Sequence, residues 1–143
     1  MIYYIDSRRG CDRNDGQSRQ TAWRTIDAVN ARTLRGGDEV LLRAGERYPG
    51  TLAPRREPDG GQIRFSAYGT GEPPLIEAAD EDAVRLQNIG GVTLEGLAVT
   101  APRGVRGIHI CNTAGGELKN ITVRGCRVHD VNAERESYAY ESG

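Results

Sequence analysis

The sequence predicts an all-β chain, wound as a short right-handed parallel β-helix and closed at its N-terminal end by one capping helix. Three observations predict it. Short β-prone runs recur at a fixed interval: Ile63, Val92 and Ile121 each stand 29 residues from the next. Within each run the apolar positions step by two and then by three. Glycine makes up 19 of the 143 residues, well above the usual ~7%. It follows no collagen period, so turns must be frequent. A repeat of roughly 20–50 residues is the mark of stacked, solenoid-like units.

The elements follow in chain order. Ile2-Tyr3-Tyr4-Ile5 is apolar and β-prone, and reads as a strand. Residues 6–20 are almost wholly polar and contain two glycines, so they read as one long loop. Thr25 precedes Ile26-Asp27-Ala28-Val29-Asn30-Ala31. A threonine N-cap with an acid in the first turn starts a helix. Ile26, Val29 and Leu34 would share its buried face, and Gly36-Gly37 would end it. Terminal units of a solenoid must shield the core from water, which suits this helix to the end of the stack. Beyond Gly37 the helical spacing gives way to Val40-Leu41-Leu42, Ile63-Arg64-Phe65, Val92-Thr93-Leu94 and Ile121-Thr122-Val123.

The repeat has internal detail. IRFSAYGT (63–70), VTLEGLAV (92–99) and ITVRGCRV (121–128) align. A step of two puts alternate side chains on opposite faces of a strand. The following step of three needs a bend, expected at Ser66-Ala67, Glu95-Gly96 and Arg124-Gly125. A small residue recurs at its second position, where the backbone must turn sharply. Tyr68, Leu97 and Cys126 would then point inward again. A second pair, AVRLQN (83–88) and GIHICN (107–112), is offset by 24 residues. It matches Val84 with Ile108 and Leu86 with Ile110. Asn88 and Asn112 would stack their amides at one turn. Each coil therefore carries three short strands and restarts one strand spacing, ~4.8 Å, further along. The right-handed crossover rule for parallel strands sets the handedness. A β-sandwich fits the strand lengths but not the two-then-three step. The expected organisation is a strand, loop and capping helix over residues 1–37, coils over 38–131, and a polar tail or partial coil over 132–143.

Composition excludes several classes. Nineteen basic and 20 acidic residues give a net charge of −1. The basic residues are scattered, which argues against nucleic acid as a partner. No apolar run approaches the ~18 residues of a membrane helix, so no membrane association is expected. Patterned sequence follows Met1 at once, so a secretory leader is not expected there. There is no phosphate loop or dinucleotide fingerprint. All but one of the basic residues are arginine, leaving Lys119 alone for lysine chemistry. The three cysteines form an odd set without zinc spacing. Cys126 falls on an inward position and Cys11 in the polar loop.

The segments YYIDS, GCDRNDGQS, TAWRTIDAVN, GGDEVLLRAGERYPGTL and IRFSAYGTGEPPLI occur in this order. Together they resemble the N-terminal portion of right-handed parallel β-helix proteins of the pectate-lyase-like superfamily, over residues 2–131. The resemblance implies the fold more firmly than the activity. The superfamily holds polysaccharide lyases, glycoside hydrolases, uronan epimerases, tailspikes and adhesins. Its enzymes carry acidic and basic site residues along an exterior groove on central coils. The expectation is the N-terminal part of a polysaccharide lyase- or hydrolase-like protein, lacking most catalytic coils. The alternative is a non-catalytic carbohydrate-binding module of adhesin or tailspike type. Polysaccharide is the expected partner, and the family is mostly extracellular or periplasmic. An open C-terminal coil would expose strand edges and invite end-to-end pairing with a second copy.

Candidate site residues fall in three groups. His129 and Asp130 could act as acid and base, and Arg124 could clamp a substrate carboxylate. As adjacent residues on a strand, His129 and Asp130 would face opposite ways, so a structural turn competes. Arg85 and His109 occupy equivalent outward positions on neighbouring coils and form the best carbohydrate-groove candidate. Asp6, Asp12, Asn14 and Asp15 supply several oxygens within a short loop, a pattern suited to calcium as a cofactor. Asx-turns that bond their own backbone are the competing reading. Trp23 could stack on a sugar or cover core, and Glu95 with Arg124 should form an exposed ion pair.

Overall fold

Every strand pair in the computed structural model is parallel. The structure describes residues 1–57, 61–78, 83–87, 91–100, 108–111 and 121–129. Asn88, Asn112, Lys119, Asp130 and residues 132–143 lie outside that set. So does any end-to-end contact through the tail.

The first sheet runs β1 (Ile2–Ile5), β3 (Glu39–Arg43), β6 (Ile63–Tyr68), β9 (Val92–Glu95) and β12 (Ile121–Arg124). The second runs β4 (Arg47–Pro49), β7 (Leu75–Glu77), β10 (Ala98–Thr100) and β13 (Arg127–His129). β8 (Val84–Gln87) and β11 (Ile108–Cys111) form a third, which Leu52 joins through a bridge to Val84. β2 (Thr33–Leu34) pairs with β5 (Arg55–Arg56). From β6 onward the chain visits the first, second and third sheets in turn, then returns to the first one strand further along. This is an all-β, β-helix-like architecture.

Alternation along the strands places one apolar column inside the first sheet. Tyr3, Val40, Phe65, Leu94 and Val123 are register neighbours in that order, and none is more than 2% exposed. Ile63 and Val92 form a second row, both fully buried. Tyr48, Ile76 and Val99 form the facing column of the second sheet. Each fully buried side chain of this size contributes roughly 1.5–3 kcal/mol. No coil can supply that burial alone, so stacking is what stabilises each turn.

Two expectations need correction. The bend after the apolar step occurs as expected at Gly96 and Gly125, with φ of 70° and 58°. It does not occur at Ser66-Ala67. An alanine resists the left-handed region those glycines use, so β6 continues through Tyr68 and the chain turns at Gly69, with φ of 82°. The longer strand changes the facing. Ala67 stands beside inward Leu42, and Tyr68 beside Arg43. Tyr68 is therefore outward and half-buried, whereas Leu97 is core and Cys126 packs against it.

The second correction concerns the helix. α1 (Ile26–Asn30) has Thr25 as N-cap, accepting from the Ala28 N–H at 3.3 Å, and buries Ile26 and Val29. It ends at Ala31, well before the glycine pair. Leu34 lies in β2, beside Arg56, and is fully buried there. One helical turn has little stability of its own, and pairing of Thr33–Leu34 with β5 supersedes it.

The loop after β1 is pinned rather than loose. Tyr4 N–H donates to the Gly16 carbonyl at 2.7 Å, Trp23 N–H to Tyr4 at 2.9 Å, and Asp6 N–H to Trp23 at 2.8 Å. These bonds cover the outer edge of β1, which would otherwise be free to pair. Trp23 covers core: its ring stacks on Tyr3 with centroids 5.0 Å apart. Its Nε1–H donates to the Asn14 carbonyl at 2.8 Å. Among the described residues no helix is long and apolar enough to cross a membrane.

Candidate functional site

The carboxyl ends of β1, β3 and β6 lie side by side, and a cleft opens there. The register of Ile5 with Leu42, and of Arg43 with Tyr68, brings Asp6, Arg43 and Tyr68 into one row. Beneath the row, the buried Tyr48 hydroxyl shares its proton between the carbonyls of Ile5 and Arg43, each at 3.0 Å. That fastens the ends of β1 and β3 together. Burial also pushes the Tyr48 phenol far above its ordinary pKa, so it remains a donor at neutral pH.

The cleft measures about 550 Å³ and is lined by Asp6, Arg9, Arg19, Gln20, Arg43, Ala44, Tyr68, Gly69 and Thr70. Asp6 is its anchor, at 4% exposure. Its Oδ1 accepts the backbone N–H groups of Arg8 and Arg9 at 3.0 and 3.1 Å. Its Oδ2 accepts from Arg43 Nη1 at 3.0 Å. Burial pushes the Asp6 carboxyl up, but those N–H groups and the Arg43 guanidinium outweigh it. The pKa lies below the ordinary carboxylate value. Arg43 is raised in turn, mainly by its hydrogen bond to Asp6. Tyr68 is raised by burial and then by the nearby Asp6 charge. The Arg19 guanidinium lies 5.0 Å from the Tyr68 ring centroid, and Tyr4 meets that ring edge-on at 5.3 Å.

This cleft was not foreseen from the sequence beyond Asp6. Its other charged members, Arg9, Arg19 and Arg43, carried no motif. The one usable signal was register: with the strands aligned correctly, Asp6, Arg43 and Tyr68 share a row. The misplaced bend at Ala67 concealed it.

The remaining candidates are dispersed. Asp12, Asn14 and Asp15 line a different hollow, of about 490 Å³, beside Trp23 and Arg32. The Asp12 carboxylate accepts the N–H groups of Arg24 and Thr25 at 2.9 and 3.0 Å, and the Thr25 hydroxyl at 2.6 Å. Asp15 accepts from Gln17 N–H at 2.9 Å and the Thr21 hydroxyl at 2.8 Å. The Asn14 amide donates to the Ala22 carbonyl at 3.0 Å. Asp6 is separate from these three. Among the described residues no three Asp, Glu, His or Cys side chains group as a metal site would require.

Arg124 ends β12 on the first sheet, His129 ends β13 on the second beside Thr100, and Arg85 lies on β8 of the third, half-buried, in register with His109. The structure thus spreads Arg124, His129 and Arg85 over three faces. The expected Glu95–Arg124 ion pair also takes another form. The two are register neighbours, but the Glu95 carboxylate accepts from Arg64 Nε at 3.1 Å. Arg64 also reaches Glu39 at 2.9 Å. Arg64 stands one coil nearer the N-terminus, between the two acids, so it can serve both. Glu95 is lowered chiefly by its hydrogen bond to Arg64, with Arg124 adding attraction through space.

No protein-family model and no curated protein sequence matches the chain. Solved structures do match. The chain is similar in fold to a glycoside hydrolase. The selenomethionine derivative of GH136 lacto-N-biosidase from Eubacterium ramulus aligns over 92% of this chain with a TM-score of 0.73 and 22% identity. The native form of that protein aligns over the same share with a TM-score of 0.70 and 21% identity. The chain spans 27% of the length of either. At this identity the likeness speaks for the winding of the chain and not for its chemistry.

Proposed function

We propose that this chain supplies the N-terminal coils of a carbohydrate-acting right-handed parallel β-helix protein of the pectate-lyase-like kind, with most catalytic coils outside it. In this reading residues 1–37 close the end of the stack, with α1 as the cap, and residues 38–131 form its coils. The observation that carries the reading is the fold match to a lacto-N-biosidase over 92% of this chain and 27% of that one. The chemistry of the cleft supports the division of labour. Glycoside hydrolysis usually takes two carboxyl groups across the scissile bond. The cleft lining holds one, Asp6, and that carboxylate is committed to Arg43 and two backbone N–H groups. The strand positions of Arg85 and His109, in register on β8 and β11, are the place we assign to a bound saccharide chain.

The second reading, a non-catalytic binding module, is favoured by the same committed carboxylate. Affinity electrophoresis of the chain against neutral and acidic polysaccharides, with reducing-end release measured in parallel, tests what both readings share, binding of carbohydrate without catalysis by this chain. Retardation without release is the expected result. Release by this chain alone would overturn the placement of catalysis outside it, and no retardation by any polysaccharide would overturn the carbohydrate reading.

A further inference from the structure

The cleft at the carboxyl ends of β1, β3 and β6 carries more positive charge than its one acid balances. Arg43 is matched by Asp6 at 3.0 Å. Arg9 and Arg19 line the same hollow and are exposed, and neither guanidinium has an ion-pair partner among the described residues. Arg19 is held against the Tyr68 ring at 5.0 Å. A guanidinium held over an aromatic ring by cation–π attraction spends no N–H hydrogen bond on a carboxylate and keeps those groups for an oxyanion. Gln20 and Thr70 add neutral hydrogen-bonding groups to the wall. A volume of about 550 Å³ lies within the roughly 300–1,000 Å³ of ordinary ligand pockets.

We infer that this cleft is a subsite for a sugar bearing a singly charged oxyanion, a carboxylate or a sulfate ester, with Arg9 and Arg19 as the anion-binding pair. The inference rests on the carbohydrate reading above. Two guanidiniums lining one hollow can bind a planar or tetrahedral oxyanion through charge-assisted hydrogen bonds. Asp6 sets the limit on charge, because a dianion pressed toward its carboxylate is repelled. Tyr68 is a positioning residue, holding Arg19 over the hollow.

Isothermal titration of the full chain at about 0.15 M ionic strength, where remote charges are screened, tests this, with methyl glucuronoside, glucose 6-sulfate, methyl glucoside and inorganic sulfate as probes. Both charged sugars should bind at least about tenfold more tightly than the neutral glucoside. Arg19→Glu and Arg9→Glu should each weaken them about tenfold or more, in line with loss of a charge-assisted contact. Arg13→Glu makes the same change in net charge at an exposed position outside the lining, and should weaken them less than about threefold, as a screened remote charge does. Equal binding of glucuronoside and glucoside, or an Arg13→Glu loss as large as that of Arg19→Glu, would overturn the inference. Inorganic sulfate binding as tightly as glucose 6-sulfate would overturn the sugar subsite. Retardation by neutral polysaccharides with no binding of either charged sugar would overturn this inference and leave the carbohydrate reading standing.

Discussion

Asp6→Asn is the perturbation that most directly probes how the cleft is built. The substitution keeps the shape of the side chain and removes its charge. The Asp6 carboxylate accepts three hydrogen bonds, at 3.0, 3.1 and 3.0 Å, at a side-chain exposure of 6%. Hydrogen bonds to a charged group contribute about 1.5–3 kcal/mol each. An amide oxygen can still accept the two backbone N–H groups at reduced strength, so the main loss is the bond to Arg43. That guanidinium is 33% exposed, and water screens part of the loss. The net cost works out at about 2 kcal/mol. With a urea dependence of roughly 1–3 kcal/mol per molar, the midpoint should fall by about 1 M. Fluorescence of Trp23, the single tryptophan, reports on this end of the molecule. The sign with pH follows from the depressed folded-state pKa. The contribution is fully present above the unfolded value of about 3.9 and is lost as pH falls through the folded value. The gap between parent and variant should hold steady from about pH 8 to 5 and shrink below about pH 4. A gap under about 0.5 kcal/mol, the scatter of ordinary surface substitutions, would refute the reasoning, as would a gap unchanged down to about pH 2.

Three further predictions come from the core, the turns and the thiols. Phe65 is fully buried between Val40 and Leu94, so Phe65→Ala should cost about 3–5 kcal/mol in a urea melt; a cost under about 1 kcal/mol would contradict the stacked column. Gly96 turns the chain at φ 70°, and a Cβ there meets nothing within 4 Å. Gly96→Ala should therefore cost only the backbone strain, about 1–2 kcal/mol, read as a lowered Tm; an unchanged Tm would refute it. Cys11 is exposed, whereas burial pushes the Cys126 thiol up. Because the thiolate is the reactive form, timed iodoacetamide labelling with peptide mapping should modify Cys11 before Cys126, and the reverse order would refute this.

Much of the winding was legible in the sequence. The interval joining Ile63, Val92 and Ile121 is the interval at which parallel strands return to the same sheet. The offset joining AVRLQN to GIHICN gives the register of β8 with β11. Such periods are visible because each coil must present apolar side chains at the same places as its neighbours. Where a residue type was asked to do something it does easily, as Gly96 and Gly125 do at the bends, the local reading also held.

The failures occurred where a local pattern admitted two outcomes. Ala67 aligned with Gly96 and Gly125 by position, but only glycine enters the left-handed turn without strain, so the strand ran on and delivered Tyr68 to the outside. Leu34 fitted a helical face and a strand equally well, and pairing with β5 decided for the strand. Glu95 had two arginines within reach, and the one able to serve two carboxylates took it.

The sequence by itself determined that this chain winds as stacked parallel coils, because periodic apolar burial is a property that the linear order of residues carries. Only the tertiary structure decided which charged residues share a cleft. Asp6, Arg9, Arg19 and Arg43 lie up to 37 positions apart. They meet because three strand ends are held side by side by register and by the Tyr48 hydroxyl, and no periodicity in the chain encodes that meeting.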